Sequence, residues 1–303
     1  MVEEGEIGLA ELLAEVRRIE VQSRRLVTGV MAGGYSSVFR GAGMEFDEVR
    51  EYAEGDDPRA VDWNVTARVG RPYVKKYVDE RELTLLFLLD LSASMDGGFG
   101  PWSARQTAAR VCACLALSAV RNHDKVGLIA FRGAVEKYVP PKKGLSHALA
   151  VLRDCLALPG HGATDLAPAL EFAARVQRRR AILFLVSDFL AGGWRESLSL
   201  CARRHDVIAV RLLTPELAPS AAGLLRVADP EGGRASVLDW SSARVRAAYA
   251  QRVADWRRRT EDELRRAKVD RMDVLVPRVL DKDAVARPIL AFFRMRELRG
   301  AKR

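Results

Sequence analysis

Leu83-Thr-Leu-Leu-Phe-Leu-Leu-Asp90-Leu-Ser92-Ala-Ser94-Met95 is the stretch whose reading decides the fold. Its first seven residues carry one polar member, Thr84, and read as a strand buried on both faces. The run ends abruptly at Asp90, with Ser92 and Ser94 following at two-residue intervals. Three oxygen side chains spaced in this way within one tight turn can all aim at a point inside the curl, as loops that hold hard cations do. One carboxylate and two hydroxyls suit magnesium or manganese and nothing softer. The plainer reading of Asp-x-Ser-x-Ser taken alone is a local serine turn with Asp90 capping the following helix. Two features further along weigh against it.

The first is the alternation of strand and helix signals after residue 83. A glycine-rich loop, Asp96 to Gly100, leads to a helix from about Trp102 to Arg121. Lys125 to Phe131 and Ala134 to Val139 read as strands joined by Arg132-Gly133. A helix near Ser146 to Leu156 runs into Pro159-Gly-His-Gly-Ala-Thr-Asp165, and another helix extends to about Arg178. Ala181 to Ser187 is a second buried strand, ended by Asp188; a helix from about Gly193 to Arg204 and a strand from Val207 to Leu213 follow. The order β-α-β-β-α-α-β-α-β predicts an α/β fold, an open and mostly parallel sheet wrapped by helices, with one antiparallel hairpin. Such sheets place ligands beyond the carboxyl ends of their central strands. Asp90 and Asp188 both stand at such ends, and Thr164 lies in a glycine-flanked loop from which it can reach the same rim. That convergence is the second feature.

Residues 224 to 239 read as a small hairpin turning at Asp229-Pro-Glu-Gly-Gly233, before a long helix with an apolar stripe at Val245, Tyr249, Val253, Trp256 and Leu264. A strand from Met272 to Val276 and a C-terminal helix from about Asp283 to Leu298 complete the chain. Upstream, residues 8 to 27 form an amphipathic pattern with acids early and arginines late, which complements a helix dipole. The stretch from 29 to 80 is punctuated by glycine and proline and reads as turns and short strands, a small cap held by ion pairs and a Trp63 anchor. The chain divides at 1–28, 29–82, 83–280 and 281–303.

With 303 residues, 49% hydrophobic and 29% charged, the chain can bury a sizeable core. The longest apolar run, Val111 to Val120, falls short of the roughly 18 residues that a membrane span requires. Acids at Glu3, Glu4 and Glu6 stand where a secretory signal would be basic, so a cytoplasmic protein is expected. Cys112 and Cys114 point to different sides of a helix, Cys155 and Cys201 stand alone, and all four read as small core residues. The net charge of +9 raises the question of nucleic acid. Residues 241–268, however, hold nine basic and four acidic side chains, with Asp255 and Arg259, Glu261 and Arg265, and Asp262 and Arg266 at four-residue spacing. That pairing favours a solvated helix face and ranks nucleic-acid binding last.

The set Asp90, Ser92 and Ser94, then Thr164 in Gly-Ala-Thr-Asp-Leu, then Asp188 in Leu-Val-Ser-Asp-Phe, resembles the metal-ion-dependent adhesion site of von Willebrand factor A domains. Upstream, Gly41-Ala-Gly-Met-Glu-Phe46, Arg50-Glu-Tyr52, Gly55-Asp-Asp-Pro-Arg59, Val61-Asp-Trp63, Thr66-Ala-Arg68 and Pro72-Tyr-Val-Lys75 resemble the signature of a bacterial family catalogued as domain of unknown function fifty-eight. The resemblance implies a von Willebrand factor A-like domain over 83–280 behind a β-rich signature segment at 29–82, with helices at 1–28 and 281–303. It further implies that Ser92 and Ser94 hold Mg2+ or Mn2+ directly, that Asp90 and Asp188 hold it directly or through water, and that Thr164 joins when the site closes around a partner's Asp or Glu. Members of the family stand beside MoxR-type AAA+ ATPases, which implies a non-enzymatic adaptor in protein assembly or maturation. Some relatives carry membrane helices; this sequence has no such run.

A magnesium-dependent hydrolase is the alternative, since two aspartates and a metal can activate water. The further groups it would draw on, Asp165 and His161, read respectively as the cap of the helix it opens and as a loop residue. Dinucleotide binding is weaker still, because Gly97-Gly-Phe-Gly100 lacks the Gly-x-Gly-x-x-Gly spacing.

Overall fold

The computed structural model of the chain describes residues 45–53, 56–57, 61–78, 82–218, 223–281 and 283–300. The helix expected over 1–28 lies outside the described residues. What is described falls into two compact units, one within Phe39–Glu82 and one from Leu83 onward.

The smaller unit pairs strand β1 (Glu45–Glu51) antiparallel with β2 (Tyr73–Val78), with helix α1 (Trp63–Val69) between them in sequence. The helix corrects the expectation of turns and strands alone. Trp63-Asn-Val-Thr-Ala-Arg-Val offers little helical propensity, but both its ends are capped. Asp62 accepts the Asn64 and Val65 backbone N–H groups, and Gly70 closes the helix at φ 74°. The expected ion pairing is present: Arg50 meets Asp56 at 2.6 Å, and Asp56 also takes the Ala53 N–H at 2.9 Å. The expected tryptophan anchor is not, because Trp63 is 72% exposed.

The larger unit is built on a six-stranded sheet. Its elements in order are β3 (Thr84–Asp90), α2 (Ala104–Arg121), β4 (Lys125–Phe131), β5 (Val135–Lys142), α3 (Leu145–Ala157), α4 (Ala167–Val176), β6 (Ile182–Ser187), α5 (Arg195–Arg204) and β7 (Asp206–Leu213). The hairpin β8 (Leu224–Ala228) and β9 (Ala235–Asp239) follows, then α6 (Ala243–Arg266), β10 (Asp270–Leu275) and α7 (Ala286–Gly300). The sheet runs β10-β7-β6-β3-β4-β5, parallel throughout except for β5 against β4. The predicted α/β class and its single antiparallel pair therefore hold. β5 continues through Pro140 and Pro141, past the expected end at Val139, because an edge strand can spare the N–H groups that proline lacks.

β3 is central and apolar because both its faces are covered. Leu86 and Leu88 pack with residues of α4, α5 and the end of α6. Leu85, Phe87 and Leu89 alternate to the other side, which α2 covers. All four cysteines are buried and free, as expected, though Cys155 meets Cys112 rather than standing alone: that hydrogen bond and burial hold the Cys112 thiol well above its ordinary value. On α6 the ion pairs differ from the four-residue pattern. Arg258 bonds Asp255 and Arg265 bonds Asp262, each three apart, while Glu261 turns to Arg211 and Arg271. Among the described residues no helix is long and apolar enough to cross a membrane.

Candidate metal centre

The parallel register of β3 and β6, with Leu89 beside Val186, brings Asp90 alongside Ser187 at the carboxyl ends of the two central strands. Asp90 is fully buried. Its Oδ1 accepts the Ser92 backbone N–H at 2.9 Å, and its Oδ2 accepts the Ser187 hydroxyl at 2.6 Å. The first bond is the local turn that the motif predicts, and it curls the chain so that the Ser92 and Ser94 hydroxyls lie 3.1 Å apart. Ser94 also faces the carboxyl of Asp188, itself 4% exposed, and opposes the rise in its pKa.

The residue after Asp188 explains how that side chain is presented. Phe189 adopts φ 59°, a conformation costing a non-glycine residue about 1–2 kcal/mol. It is held there from three directions. Its N–H donates to Ser187 Oγ at 3.1 Å, its carbonyl accepts the Trp256 indole N–H at 2.9 Å, and its ring packs edge-on against Trp194. The turn thus ends β6 with Asp188 on the rim, where the Leu190 N–H donates to its Oδ1 at 2.9 Å.

Thr164 arrives on the loop between α3 and α4. The His161 N–H donates to the Leu91 carbonyl and the Ala93 N–H donates to the Gly162 carbonyl, each at 3.1 Å, so this loop is stitched to the Asp90 turn. Two glycines make the approach possible. Gly162 sits at φ 76°, and a Cβ on Gly160 would run into the carboxylate of Asp96. Thr164 is not free at the end of this loop: its hydroxyl donates to Glu231 Oε1 at 2.7 Å and its N–H to Glu231 Oε2 at 3.0 Å.

Asp90, Ser92 and Ser94 are therefore linked with Ser187 in one hydrogen-bonded turn, Asp188 faces Ser94 beside it, and Thr164 stands at its edge in company with Glu231. Two members of the group were not legible in advance. Ser187 immediately precedes Asp188, and its role follows from strand register. Glu231 lies 67 residues from Thr164, in the turn of the β8–β9 hairpin.

The electrostatics are one-sided. Burial first, and then the negative charge of Asp188, raise the Asp90 pKa from 3.8 to about 6, against the pull of the Ser187 and Ser92 hydrogen bonds. Burial likewise raises Asp188, Ser94 and the Leu190 N–H oppose it, and Glu231 adds to the rise. Two buried acids whose charged neighbours are also acids form a place where positive charge is wanted. Among the described residues no three His, Cys, Asp or Glu side chains gather as a ready-made metal cluster. A cation here would depend on hydroxyls as much as on carboxylates, and that all-oxygen set fits a small hard dication.

A family model described as Protein of unknown function DUF58 matches residues 48–259, which include the signature stretch from Arg50 onward and every residue of the oxygen group. The chain belongs to the DUF58 family. This DUF58 chain is 33% identical over 215 residues to the uncharacterized protein Rv1480 of Mycobacterium tuberculosis, an alignment covering 70% of this chain and 68% of that one. Among solved structures it is similar to the conserved hypothetical protein BatB from Bacteroides thetaiotaomicron, at 18% identity and a TM-score of 0.43, over 73% of this chain and 100% of that one. It is also similar to the SpRpn10 VWA domain, at 13% identity and a TM-score of 0.35, over 44% of this chain and 76% of that one. The fold of the DUF58 chain is defined by its own strand order and register.

Proposed function

We propose that this chain is a protein-binding module that captures an Asp or Glu of a partner protein at a divalent cation, Mg2+ or Mn2+, and has no turnover of its own. The observation that carries the reading is the single rim on which Asp90, Ser92, Ser94 and Asp188 meet, with Thr164 stitched alongside by the 159–165 loop. A bound dication would supply one open coordination position to an incoming carboxylate. Ser92 and Ser94 present hydroxyls to it, Asp90 and Asp188 hold the charge balance, and Thr164 closes on the arriving acid. The β6 turn at Phe189 and the 159–165 loop orient these groups. A partner that binds the closed arrangement better than the open one biases the loops, which is how capture becomes a signal. The family resemblance points to a MoxR-type AAA+ ATPase as co-worker, in assembly or maturation of other proteins in the cytoplasm.

The hydrolase reading gains no support from geometry. Asp165 is exposed, with Oδ1 accepting the Ala167 N–H at 3.0 Å, and the exposed His161 serves the loop through its backbone.

The test is a thermal melt in MgCl2, MnCl2 and EDTA for the wild type and Asp90→Asn, followed by capture of host proteins with and without Mg2+. Wild type is expected to gain stability from either salt; at a hundredfold excess over Kd the gain is about 2.7 kcal/mol. Asp90→Asn should gain nothing. Equal melting in salt and chelator, with partner capture unchanged in EDTA, would reject the reading.

A further inference from the structure

We infer that Glu231 is the chain's own stand-in for the partner's acid, engaging Thr164 until an incoming carboxylate displaces it. The inference rests on the cation-binding reading of the site and adds its regulation. Both Glu231 oxygens are committed to Thr164, one to its hydroxyl at 2.7 Å and the other to its N–H at 3.0 Å. The Thr164 hydroxyl bonds Glu231 rather than Asp90, Ser92 or Ser94, and on the cation-binding reading it is the group that turns inward when the site closes. A carboxylate that owns this hydroxyl holds the site in its waiting state.

The segment carrying Glu231 is made to present it. Asp229 accepts the Glu231 N–H at 3.0 Å, the Asp229 N–H donates to the Arg234 carbonyl at 2.8 Å, and the Gly233 N–H returns to the Asp229 carbonyl at 2.9 Å. A Cβ on Gly232 would collide with the Asp229 carboxylate, so the turn is tight for a reason. Behind it β8 and β9 pair with each other outside the six-stranded sheet, and their side chains are mostly exposed. The root is anchored where the Trp240 N–H donates to the Gly223 carbonyl and Trp240 packs edge-on against Tyr249. A hairpin fixed at its root, poor in buried apolar contacts, and tied at its tip by two hydrogen bonds can release that tip at low cost.

The arrangement sets a threshold. A tethered carboxylate competes at an effective concentration on the order of millimolar or higher, so a free acid at lower concentration loses to Glu231. A protein partner wins only if further contacts accompany its Asp or Glu, and each tenfold advantage requires about 1.4 kcal/mol.

The experiment uses the whole chain loaded with Mn2+ and the 19F resonance of fluoroacetate as a probe for a carboxylate beside the ion. In wild type, line broadening by bound Mn2+ should be weak. In Glu231→Ala it should rise at least fivefold, with Glu231→Gln, which keeps an acceptor for the Thr164 hydroxyl, in between. Glu196→Ala, on the exposed first turn of α5, should match wild type. A second measurement needs no metal: in EDTA, loss of the tip contact should speed tryptic cleavage after Arg234 severalfold in Glu231→Ala. Mn2+ bound by both proteins with equal broadening overturns the inference and leaves the site reading standing. Mn2+ bound by neither overturns the site reading and the inference with it. Unchanged cleavage overturns the inference whatever the metal does.

Discussion

One face of the sheet carries two buried polar clusters in the same row, and they solve the problem of charge in opposite ways. Register places Asp90 beside Ser187, Ser187 beside Arg211, and Arg211 beside Asp273, across β3, β6, β7 and β10. At the β7–β10 end the charge is balanced within the chain. Arg211, 1% exposed, holds both oxygens of Asp273 at 2.8 and 2.9 Å, reaches Glu261 at 3.2 Å, and lies over the Trp256 ring. At the β3–β6 end acids face acids, and Asp90 is held near a pKa of 6. A charge in a low-dielectric interior must be matched or neutralised. The charge of Arg211 is matched within the chain, whereas on the proposed reading the Asp90 cluster takes its positive charge from a bound cation.

That contrast can be broken by swapping what each end lacks. The largest expected effect is at the balanced end: Arg211→Met removes three charge-assisted hydrogen bonds, leaves the part-exposed Asp273 and Glu261 to Arg271, and should cost about 3 kcal/mol in urea unfolding. Adding Asp273→Leu should recover part of that loss, because an apolar pair then replaces the two bonded partners.

The unbalanced end should answer with the opposite sign. Without metal, Asp90→Asn should stabilise the protein at pH 7, by at most about 3 kcal/mol, the equivalent of raising a carboxyl from 3.8 to about 6. The pH dependence follows from that direction. A raised folded-state pKa means that Asp90 favours the fold while protonated, so its contribution is greatest below about pH 4 and is lost as pH climbs through 6. The advantage of the variant should therefore vanish in melts near pH 4 and grow toward neutrality. A variant less stable than wild type at pH 7 in EDTA would contradict the one-sided electrostatics.

The smallest effect is the control for location. Arg258→Ala removes a pair to Asp255 in which the arginine side chain is 68% exposed, and its cost in the same unfolding assay should stay under about 0.5 kcal/mol.

Much of this was written locally. Uninterrupted apolar runs at Leu85–Leu89 and Ile182–Val186 belong to strands covered on both sides, so the parallel sheet is legible in the sequence. The Asp-x-Ser-x-Ser spacing likewise produces its own turn, since the Ser92 N–H closes onto Asp90 two residues away. Helix α1 was missed because its propensity is poor and its caps supply the missing stability; Trp63 looked like an anchor because a large ring is normally buried.

What the sequence determined by itself is the sheet, the order of its strands in the chain and the residue types at their ends, since these follow from burial pattern and turn chemistry within a few neighbours. Only the tertiary structure decided that Ser187 serves Asp90, that Arg211 is neutralised at home, and that Glu231 engages Thr164 from 67 residues away. Hydrogen bonds between remote segments depend on strand register and loop closure, and no local propensity encodes either.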